Sequence, residues 1–242
     1  MVFKMEEMQN ARKRVKRTFI YIVVISIFTI GILFVMDYFN LIPKEYYKAS
    51  DFGIKTVYSK YDYDKDNVDD YSDFVLGARK DAKNHPTYVS KYYATSYPPD
   101  EEGVCTDTIW RAFKNAGYSL RDMVDNDIKD NPSDYPDIEI RDKNIDFRRV
   151  SNLDVFFSKY ALSLTIDYKD IESFQPGDIV IFENKHIGIV SDRRNDKGVP
   201  YVIHNMGQPV REEDFFGKME VTSHYRFDAT EIDEKILVPW EE

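Results

Sequence analysis

Apolar and polar positions along the chain separate one N-terminal apolar run from a long mixed body. Eighteen consecutive residues, 19–36, carry no charge, and as a helix they would span roughly 27 Å at about 1.5 Å per residue. This length is enough to cross a bilayer, whereas a buried core helix rarely keeps such a run. Because no small-residue cleavage site follows, we predict a transmembrane signal-anchor helix over residues 18–38 rather than a removed signal peptide.

Charges on the N-terminal side of this run predict its orientation. Residues 1–17 contain six basic residues against two glutamates. The basic residues are Lys4, Arg12, Lys13, Arg14, Lys16 and Arg17. By the positive-inside rule, residues 1–17 form a cytoplasmic basic segment and the body lies outside the membrane. We therefore predict a single-pass membrane protein that contacts the lipid bilayer through residues 18–38.

The pattern changes twice after the apolar run. Residues 39–65 show no sustained period, and we predict an extracytoplasmic tether there. Apolar residues then recur at spacings of three and four over residues 68–82, which predicts a helix that ends before Pro86. Asp66 or Asn67 is its predicted N-cap.

The acidic segment 62–73 permits a second interpretation. Its aspartates at 62, 64, 66 and 73 fall at positions 1, 3, 5 and 12 of an EF-hand-like loop. Position 6 is Asn67 rather than glycine, and the last ligand is not glutamate. We therefore prefer the helix start as the interpretation, and calcium binding by this segment stays open.

Helical and strand periods follow one another in the rest of the body. Three further helices are predicted, at 105–117, 119–129 and 152–160. After Gln175 the period becomes two, and four strands are predicted, at 178–182, 186–190, 200–204 and 221–227. Short connections favour antiparallel pairing, so helices followed by an antiparallel sheet predict an α+β fold.

Composition narrows the class of function. Of the 242 residues, 43% are hydrophobic, which permits a substantial core. The net charge is −10, and because residues 1–17 carry +4, the remainder carries −14. An acidic body argues against nucleic-acid binding. The single cysteine excludes an internal disulfide.

That cysteine, Cys105, lies at the predicted N-terminus of a helix. Unpaired N–H groups and the helix dipole stabilise negative charge there, so we expect a lowered thiol pKa. By strand alternation, His186 and His204 project from the same side of adjacent strands, and Gly188 leaves space beside His186. A thiol-bearing helix packed on this face would complete a nucleophile, a base and a residue that orients the base.

Other roles for these residues stay open. Histidines on strands are more often structural than catalytic, and we interpret His224 as structural. One cysteine with two widely separated histidines does not match a zinc pattern, although three ligands plus water stay open as an alternative. We therefore predict no metal at this site and no cofactor.

Seven segments occur in a recognisable order. They are GVCTD (103–107), NIDFRRVSNL (144–153), QPGDIVIF (175–182), HIGIVSDRR (186–194), VIHN (202–205), REED (211–214) and HYRF (224–227). Over roughly residues 68–228 this order resembles the DUF1287 family, which is itself similar to the NlpC/P60 cysteine peptidases, papain-like enzymes of bacterial cell walls. The resemblance implies a papain-like domain over residues 66–228, followed by a C-terminal tail over 229–242.

The resemblance also implies a catalytic site. Its nucleophile corresponds to Cys105, its base to His186 and its third member to His204. Tyr97 resembles a tyrosine that such enzymes have near the nucleophile, where it could assist an oxyanion hole. The chain departs from typical NlpC/P60 enzymes at Thr106-Asp107, where they have Ser-Gly, and this departure bears on the substrate.

We therefore predict a membrane-anchored extracytoplasmic cysteine hydrolase, an amidase or peptidase acting on amide bonds of peptidoglycan peptides. Four arginines could bind substrate carboxylates or could instead bridge the protein's own acidic groups. They are Arg148, Arg149, Arg193 and Arg194. An acyltransferase with the same Cys-His-His site and a non-enzymatic cell-wall binding module are the alternatives.

Overall fold

The structure is a computed structural model that describes residues 2–241. The chain divides into two compact units, Met1–Pro43 and Lys44–Glu242. The first unit contains a single helix, and the second contains the remaining helices and all strands.

The first unit is the helix α1 (Val2–Tyr38). Within it, an 18-residue window of Glu7–Tyr38 has a mean hydropathy of 2.8, and none of that window is buried. The helix is therefore long and apolar enough to cross a membrane, either as an anchor or as a signal sequence. The side chains of residues 2–4 and 6, including the predicted basic residue Lys4, lie outside the described set.

Four further helices form where the helical spacings predict them. They are α2 (Asp70–Asn84), α3 (Cys105–Asn115), α4 (Leu120–Asp130) and α5 (Val150–Tyr160). The predicted cap of α2 is wrong by two or three residues, because Asp69 is the N-cap. The Asp69 carboxylate accepts the Ser59 N–H at 2.8 Å and the Ser72 hydroxyl at 2.5 Å.

A six-stranded antiparallel sheet forms the second half of the unit, in the strand order β3-β8-β4-β5-β6-β7. Its strands are β3 (Leu162–Ser163), β4 (Ile179–Phe182), β5 (His186–Arg194), β6 (Pro200–Ile203), β7 (Glu212–Glu213) and β8 (Val221–Arg226). A separate parallel pair joins β1 (Thr87–Tyr88) to β2 (Glu102–Gly103). Helices first and an antiparallel sheet afterwards confirm the predicted α+β arrangement.

Alternation along the strands gives the sheet two apolar faces. One face contributes isoleucines such as Ile187 and Ile189 to the core that the helices cover. The opposite face packs against a smaller cluster that includes Phe174, Phe215 and Phe216. Because each fully buried side chain of this size contributes about 1.5–3 kcal/mol, both faces constrain the strand register.

The predicted tether over residues 39–65 is packed from Lys44 onward, where the second unit begins. Tyr47 pairs with Arg194 of β5, and Ala49 and Ile54 are buried. The segment lacks a period because it contacts several elements in turn without forming a long helix or strand of its own. The Val57 N–H donates to Gln175, and the Ser59 N–H donates to Asp69. Residues 44–65 are thus part of the folded unit.

The C-terminal tail docks on the turn between α3 and α4. The Ser119 N–H donates to the Val238 carbonyl at 2.8 Å, and the Trp240 N–H donates to the Gly117 carbonyl at 2.7 Å. The Trp240 ring stacks on Trp110 with centroids 6.1 Å apart. The described part of the tail is therefore integrated into the helical layer.

Candidate active site

A buried ion pair holds the first turn of α3, the helix that begins with Cys105. Arg148 donates two hydrogen bonds to the Asp107 carboxylate, at 2.7 and 2.8 Å. Asp107 also accepts the Val104 N–H at 2.7 Å and the Trp110 indole N–H at 2.8 Å. Removing one partner of such a buried pair costs about 3–5 kcal/mol, because the other charge is left uncompensated.

The Cys105 thiol is enclosed by protein. Its residue is 5% exposed, and burial raises the pKa of the thiol to about 11, although backbone N–H groups of Ile187, Thr106 and Cys105 itself act in the opposite direction. The prediction of a lowered pKa is therefore wrong for this closed site. The helix terminus does stabilise the thiolate, but the loss of hydration outweighs that effect.

The two strand histidines form a direct pair. His186 Nε2 lies 2.8 Å from His204 Nδ1, which confirms that both imidazoles lie on the same side of adjacent strands. Gly188 permits this contact, because a Cβ there would lie 2.6 Å from Val202 Cγ1 and 3.1 Å from His204 Cβ.

A third group, Glu213 of β7, completes a chain of polar contacts. His204 Nε2 lies 3.3 Å from Glu213 Oε1, and Lys218 Nζ lies 2.7 Å from Glu213 Oε2. Burial alone would raise the pKa of Glu213, but His204 and Lys218 hold it below its usual value. Glu213 is therefore an ionised acceptor near neutral pH.

These contacts assign the tautomers of the two histidines. Burial lowers the pKa of His204, and burial together with the neighbouring His204 lowers the pKa of His186. Both imidazoles are thus neutral, and His204 Nε2–H donates to Glu213. His204 Nδ1 must then accept from His186 Nε2–H, which leaves His186 Nδ1 unprotonated and able to act as a base.

The thiol and the histidine pair reach the start of β5 from opposite faces of the sheet. Cys105 belongs to the core on the helical face, and its sulfur accepts the backbone N–H of Ile187, the residue after His186. The predicted packing of α3 on the histidine face is therefore wrong. The helix instead covers the isoleucine face, while Phe215 packs on His204 with centroids 4.2 Å apart.

Within residues 2–241, no hydrogen bond joins Cys105 Sγ to the His186 ring. His186 is the first residue of β5, directly after the turn formed by Glu183 and Asn184 at positive φ. The sulfur therefore lies near the backbone of the residue after His186, but it makes no hydrogen bond with the His186 imidazole.

Tyr97 is not brought to the thiol. Its ring packs in an aromatic cluster with Trp110, Phe147 and Trp240, at centroid distances of 4.5, 5.5 and 5.1 Å. Burial raises the pKa of its hydroxyl to about 12, and Ser119 is a hydrogen-bond partner of that hydroxyl. Its predicted role in an oxyanion hole therefore receives no contact in support.

Tyr88 is the tyrosine whose pKa is influenced by the Cys105 thiol. Pairing of β1 with β2 sets Tyr88 beside Gly103, two residues before Cys105. Burial raises the pKa of Tyr88, and the charges of Cys105 and Asp107 add to this effect. The sequence pattern did not reveal Tyr88 because two-residue strands have no detectable period.

Two of the four predicted substrate-binding arginines are engaged inside the protein. Arg148 belongs to the ion pair with Asp107. Arg194 is buried and donates to the carbonyls of Ile171, Gly198 and Phe174 at 2.7–2.9 Å. Burial lowers the pKa of Arg194 to about 10. Neither guanidinium is available to a substrate in this structure.

The other two arginines reach solvent. Arg193 Nη1 lies 3.1 Å from Glu212 Oε2, with the guanidinium over the Tyr46 ring. Arg149 has a side chain 48% exposed, and its Nε lies 3.9 Å from Asp146 Oδ1. Substrate binding by these two residues stays a prediction.

The fold and the site together define a class of protein. It is a domain with an antiparallel sheet, a buried thiol at the start of a helix, and a buried His-His-Glu chain behind the adjacent strand. Residues 75–227 match the family described as "Domain of unknown function (DUF1287)". The chain therefore belongs to the DUF1287 family.

One relative is the "Uncharacterized protein YijF" of Escherichia coli (strain K12). It is 36% identical over 149 residues, which cover 59% of this chain and 72% of that protein. No solved structure matches the chain.

Proposed function

We propose that the chain is a cysteine hydrolase of the papain-like NlpC/P60 type, an amidase or peptidase that uses Cys105 as its nucleophile. The observation that carries the proposal is the chain from Glu213 through His204 to His186, at 3.3 and 2.8 Å. Its hydrogen-bond directions leave His186 Nδ1 without a proton, which supports His186 as the base. His186 precedes Ile187, the residue whose backbone N–H favours the Cys105 thiolate. The order of the motifs along the chain supports the same assignment.

The proposed reaction has two balanced steps. The first step requires the His186 imidazole, at the start of β5, to move from the opposite face of the strand to within reach of the sulfur. Cys105 Sγ then attacks the carbonyl carbon of an amide while His186 Nδ1 takes the thiol proton, and that proton passes to the departing amine nitrogen as the C–N bond breaks. A water then attacks the thioester, its proton moves to His186 Nδ1 and on to the leaving thiolate, and a carboxylic acid is released. Because the resting thiol is neutral, proton transfer accompanies attack.

Substrate must open the site. Cys105 and His186 are 5% and 4% exposed, so the acyl group reaches the sulfur only after local movement of the surrounding segments. The exposed Arg149 and the half-buried Arg193 are candidate contacts for substrate carboxylates. Peptide stems of peptidoglycan carry both amide bonds and carboxylates, which makes them the proposed substrate class.

The proposed location fits this substrate class. We propose that α1 is an uncleaved anchor over residues 18–38, with the basic segment 1–17 in the cytoplasm and the folded unit outside. An extracytoplasmic hydrolase next to the membrane meets cell-wall peptides. Protease treatment of intact cells tests the topology, because a protected folded unit would contradict it.

The test of the reaction uses the full chain in detergent micelles with purified peptidoglycan. We expect the wild type to release soluble muropeptides and Cys105→Ala to release none, while both unfold at similar temperatures. Equal products from the two proteins would exclude Cys105 as the nucleophile. Transfer of the acyl group to an added amine, without hydrolysis, would indicate the acyltransferase instead.

Burial of the thiol favours a second candidate, a non-enzymatic cell-wall binding module. In that case Cys105 and the histidines are structural, and peptidoglycan sediments with the protein without being cut. Sedimentation of wild type and Cys105→Ala with intact peptidoglycan separates the two functions, because a binding module retains the polymer and releases no product.

A further inference from the structure

An acidic loop precedes α2 in the folded unit. Oxygen atoms of Asp62, Asp64 and Asp66 all lie within 4.8 Å of one another. Asp62 also accepts the N–H groups of Asp66 and Asn67 at 3.2 and 3.0 Å. Exposed acidic groups of this kind are common without a bound ion, so the loop alone does not define a site.

Asp73, in the first turn of α2, is the observation that points to a ligand. It is 2% exposed, and its Oδ1 accepts the Asn115 amide at 3.0 Å. Its Oδ2 is buried and has no hydrogen-bond partner among the residues that the structure describes. A buried carboxylate oxygen without a partner is unfavourable unless something positive compensates it.

The acidic loop is held beside the first turn of α2, which contains Asp73. The Tyr63 N–H donates to Asp70 Oδ1 at 3.0 Å, so the loop is tied to that turn. Asp64 packs on Gly117, two residues after Asn115, which is the donor to Asp73. Several carboxylates gathered in one place are an arrangement that a divalent cation would stabilise.

We propose that Asp62, Asp64, Asp66 and the Oδ2 atom of Asp73 bind one calcium ion. Calcium takes six to eight oxygen ligands, and carboxylates are its usual protein donors. The proposed ligands occupy positions 1, 3, 5 and 12 of an EF-hand-like loop. At position 6, where such loops have glycine, Asn67 adopts the required left-handed backbone with φ of 75°.

Calcium is favoured over magnesium by the build of the loop. Magnesium requires near-ideal octahedral geometry and keeps several waters, whereas calcium accepts varied carboxylate arrangements. Asp64 and Asp66 are exposed and sit on a short loop, which can adjust around a larger ion.

The ion would join three parts of the fold. Asn115, the last residue of α3, donates to both the carbonyl and the carboxylate of Asp73. Asp64 packs so closely on Gly117 that a Cβ there would lie 2.7 Å from Asp64 Cβ. Calcium would thus fasten the loop to α2 and to the end of the helix that begins with Cys105.

The test uses the full chain in detergent micelles after treatment with a chelator and dialysis. Calorimetric titration with CaCl₂ is expected to give one ion per chain, and saturating calcium is expected to raise the unfolding temperature by several degrees. Terbium offers a second readout, because Tyr61 and Tyr63 flank Asp62 and can sensitise its luminescence. Added calcium should displace the terbium signal.

Two variants with a matched control separate a site from general charge. Asp64→Asn is expected to weaken calcium binding at least tenfold. Asp196→Asn removes one equally exposed negative charge from the same unit and is expected to leave the affinity unchanged. Asp73→Asn keeps the acceptor for Asn115, so it should raise the unfolding temperature in chelator yet abolish the rise caused by calcium.

Three results would overturn the proposal. The first is no calcium binding up to about 1 mM, the weak end of extracellular calcium modules. The second is equal affinity in the wild type and Asp64→Asn. The third is magnesium binding as tight as calcium binding, which would show electrostatic attraction of any divalent ion.

Discussion

At the scale of single residues, burial controls the chemistry of Cys105. With its pKa raised to about 11, the thiol is protonated near neutral pH, and the thiolate fraction grows about tenfold per pH unit below the pKa. We expect alkylation by iodoacetamide to be slow at pH 7 and to rise continuously through pH 10, as followed by mass spectrometry.

The control for this measurement is the same chain unfolded in urea. There the alkylation rate should level off near the ordinary thiol pKa, about 8.5. Because the sequence has one cysteine, no second thiol contributes. A rate that levels off below pH 8 in the folded protein would contradict the closed, desolvated thiol.

Glu213 is expected to set the proton positions of the histidine pair. In Glu213→Gln the side-chain amide can donate to His204 Nε2. His204 Nδ1–H then donates to His186 Nε2, so the proton of His186 moves to Nδ1, the nitrogen that must be unprotonated in the proposed reaction. We expect the turnover number on muropeptides to fall by about a hundredfold or more while KM changes little. Nitrogen chemical shifts of the imidazoles report the tautomers independently of activity.

The matched control is Glu220→Gln. Its side chain is exposed, and the contact at this position is made by its backbone carbonyl, which accepts the Glu183 N–H at 3.0 Å. Unchanged tautomers and turnover in this variant, beside changed ones in Glu213→Gln, support the proposed chain. Equal turnover in both variants would remove Glu213 from it.

Part of this arrangement of side chains follows from the sequence. The contact of His186 with His204 follows from strand alternation, because a period of two determines which side chains share a face. The partner of a charged side chain follows from no such rule. The sequence therefore leaves both substrate carboxylates and the protein's own acidic groups open as partners of Arg148, and tertiary packing pairs it with Asp107.

At the scale of elements, Gly188 controls the approach of β6 to β5. A Cβ there would lie 2.6 Å from Val202 Cγ1 and 3.0 Å from the Ile203 carbonyl. Gly188→Ala should push the strands apart, destabilise the protein by about 1–3 kcal/mol and lengthen the histidine contact. Denaturant unfolding of the full chain measures the loss.

Gly31→Ala is the corresponding control, since nothing lies within 4 Å of a Cβ at that position. We expect its unfolding midpoint to match that of the wild type. If Gly188→Ala were equally neutral, the close approach of β6 would not require glycine.

Long elements were predictable and short ones were not. The helices α2 to α5 and the strands β4, β5, β6 and β8 each extend over enough residues to display a period. The two-residue strands β1, β2, β3 and β7 gain their pairing from neighbours instead. The face on which α3 packs also required the structure, because alternation identifies two faces without saying which one the helices cover.

At the scale of the whole molecule, the two buried neutral histidines link stability to pH. Their pKa values are lowered in the folded state, so the unfolded chain binds more protons. The free energy of unfolding therefore decreases as the pH drops through the histidine pKa of the unfolded chain, about 6.5. Each histidine contributes a slope of up to about 1.4 kcal/mol per pH unit. We expect the denaturant concentration at the unfolding midpoint to decrease as the pH is lowered from 6.5 to 5.

Glu213 acts below this window. Its folded-state pKa is lowered, so the stability that it adds is present above its unfolded pKa and is lost at still lower pH. The double variant His186→Gln with His204→Gln should flatten the dependence between pH 6.5 and pH 5. An unchanged slope in that variant would assign the acid sensitivity to other groups.

The single enclosed thiol also allows the opening of the site to be measured by chemical labelling. A reagent can reach Cys105 only when the surrounding segments part, so at high reagent concentration the labelling rate becomes the rate of that opening, and at low concentration it gives the free energy of the open state. Comparing the chain with and without a candidate cell-wall fragment then measures whether the fragment holds the site open. Such labelling would rank ligands before any cleaved bond has been identified.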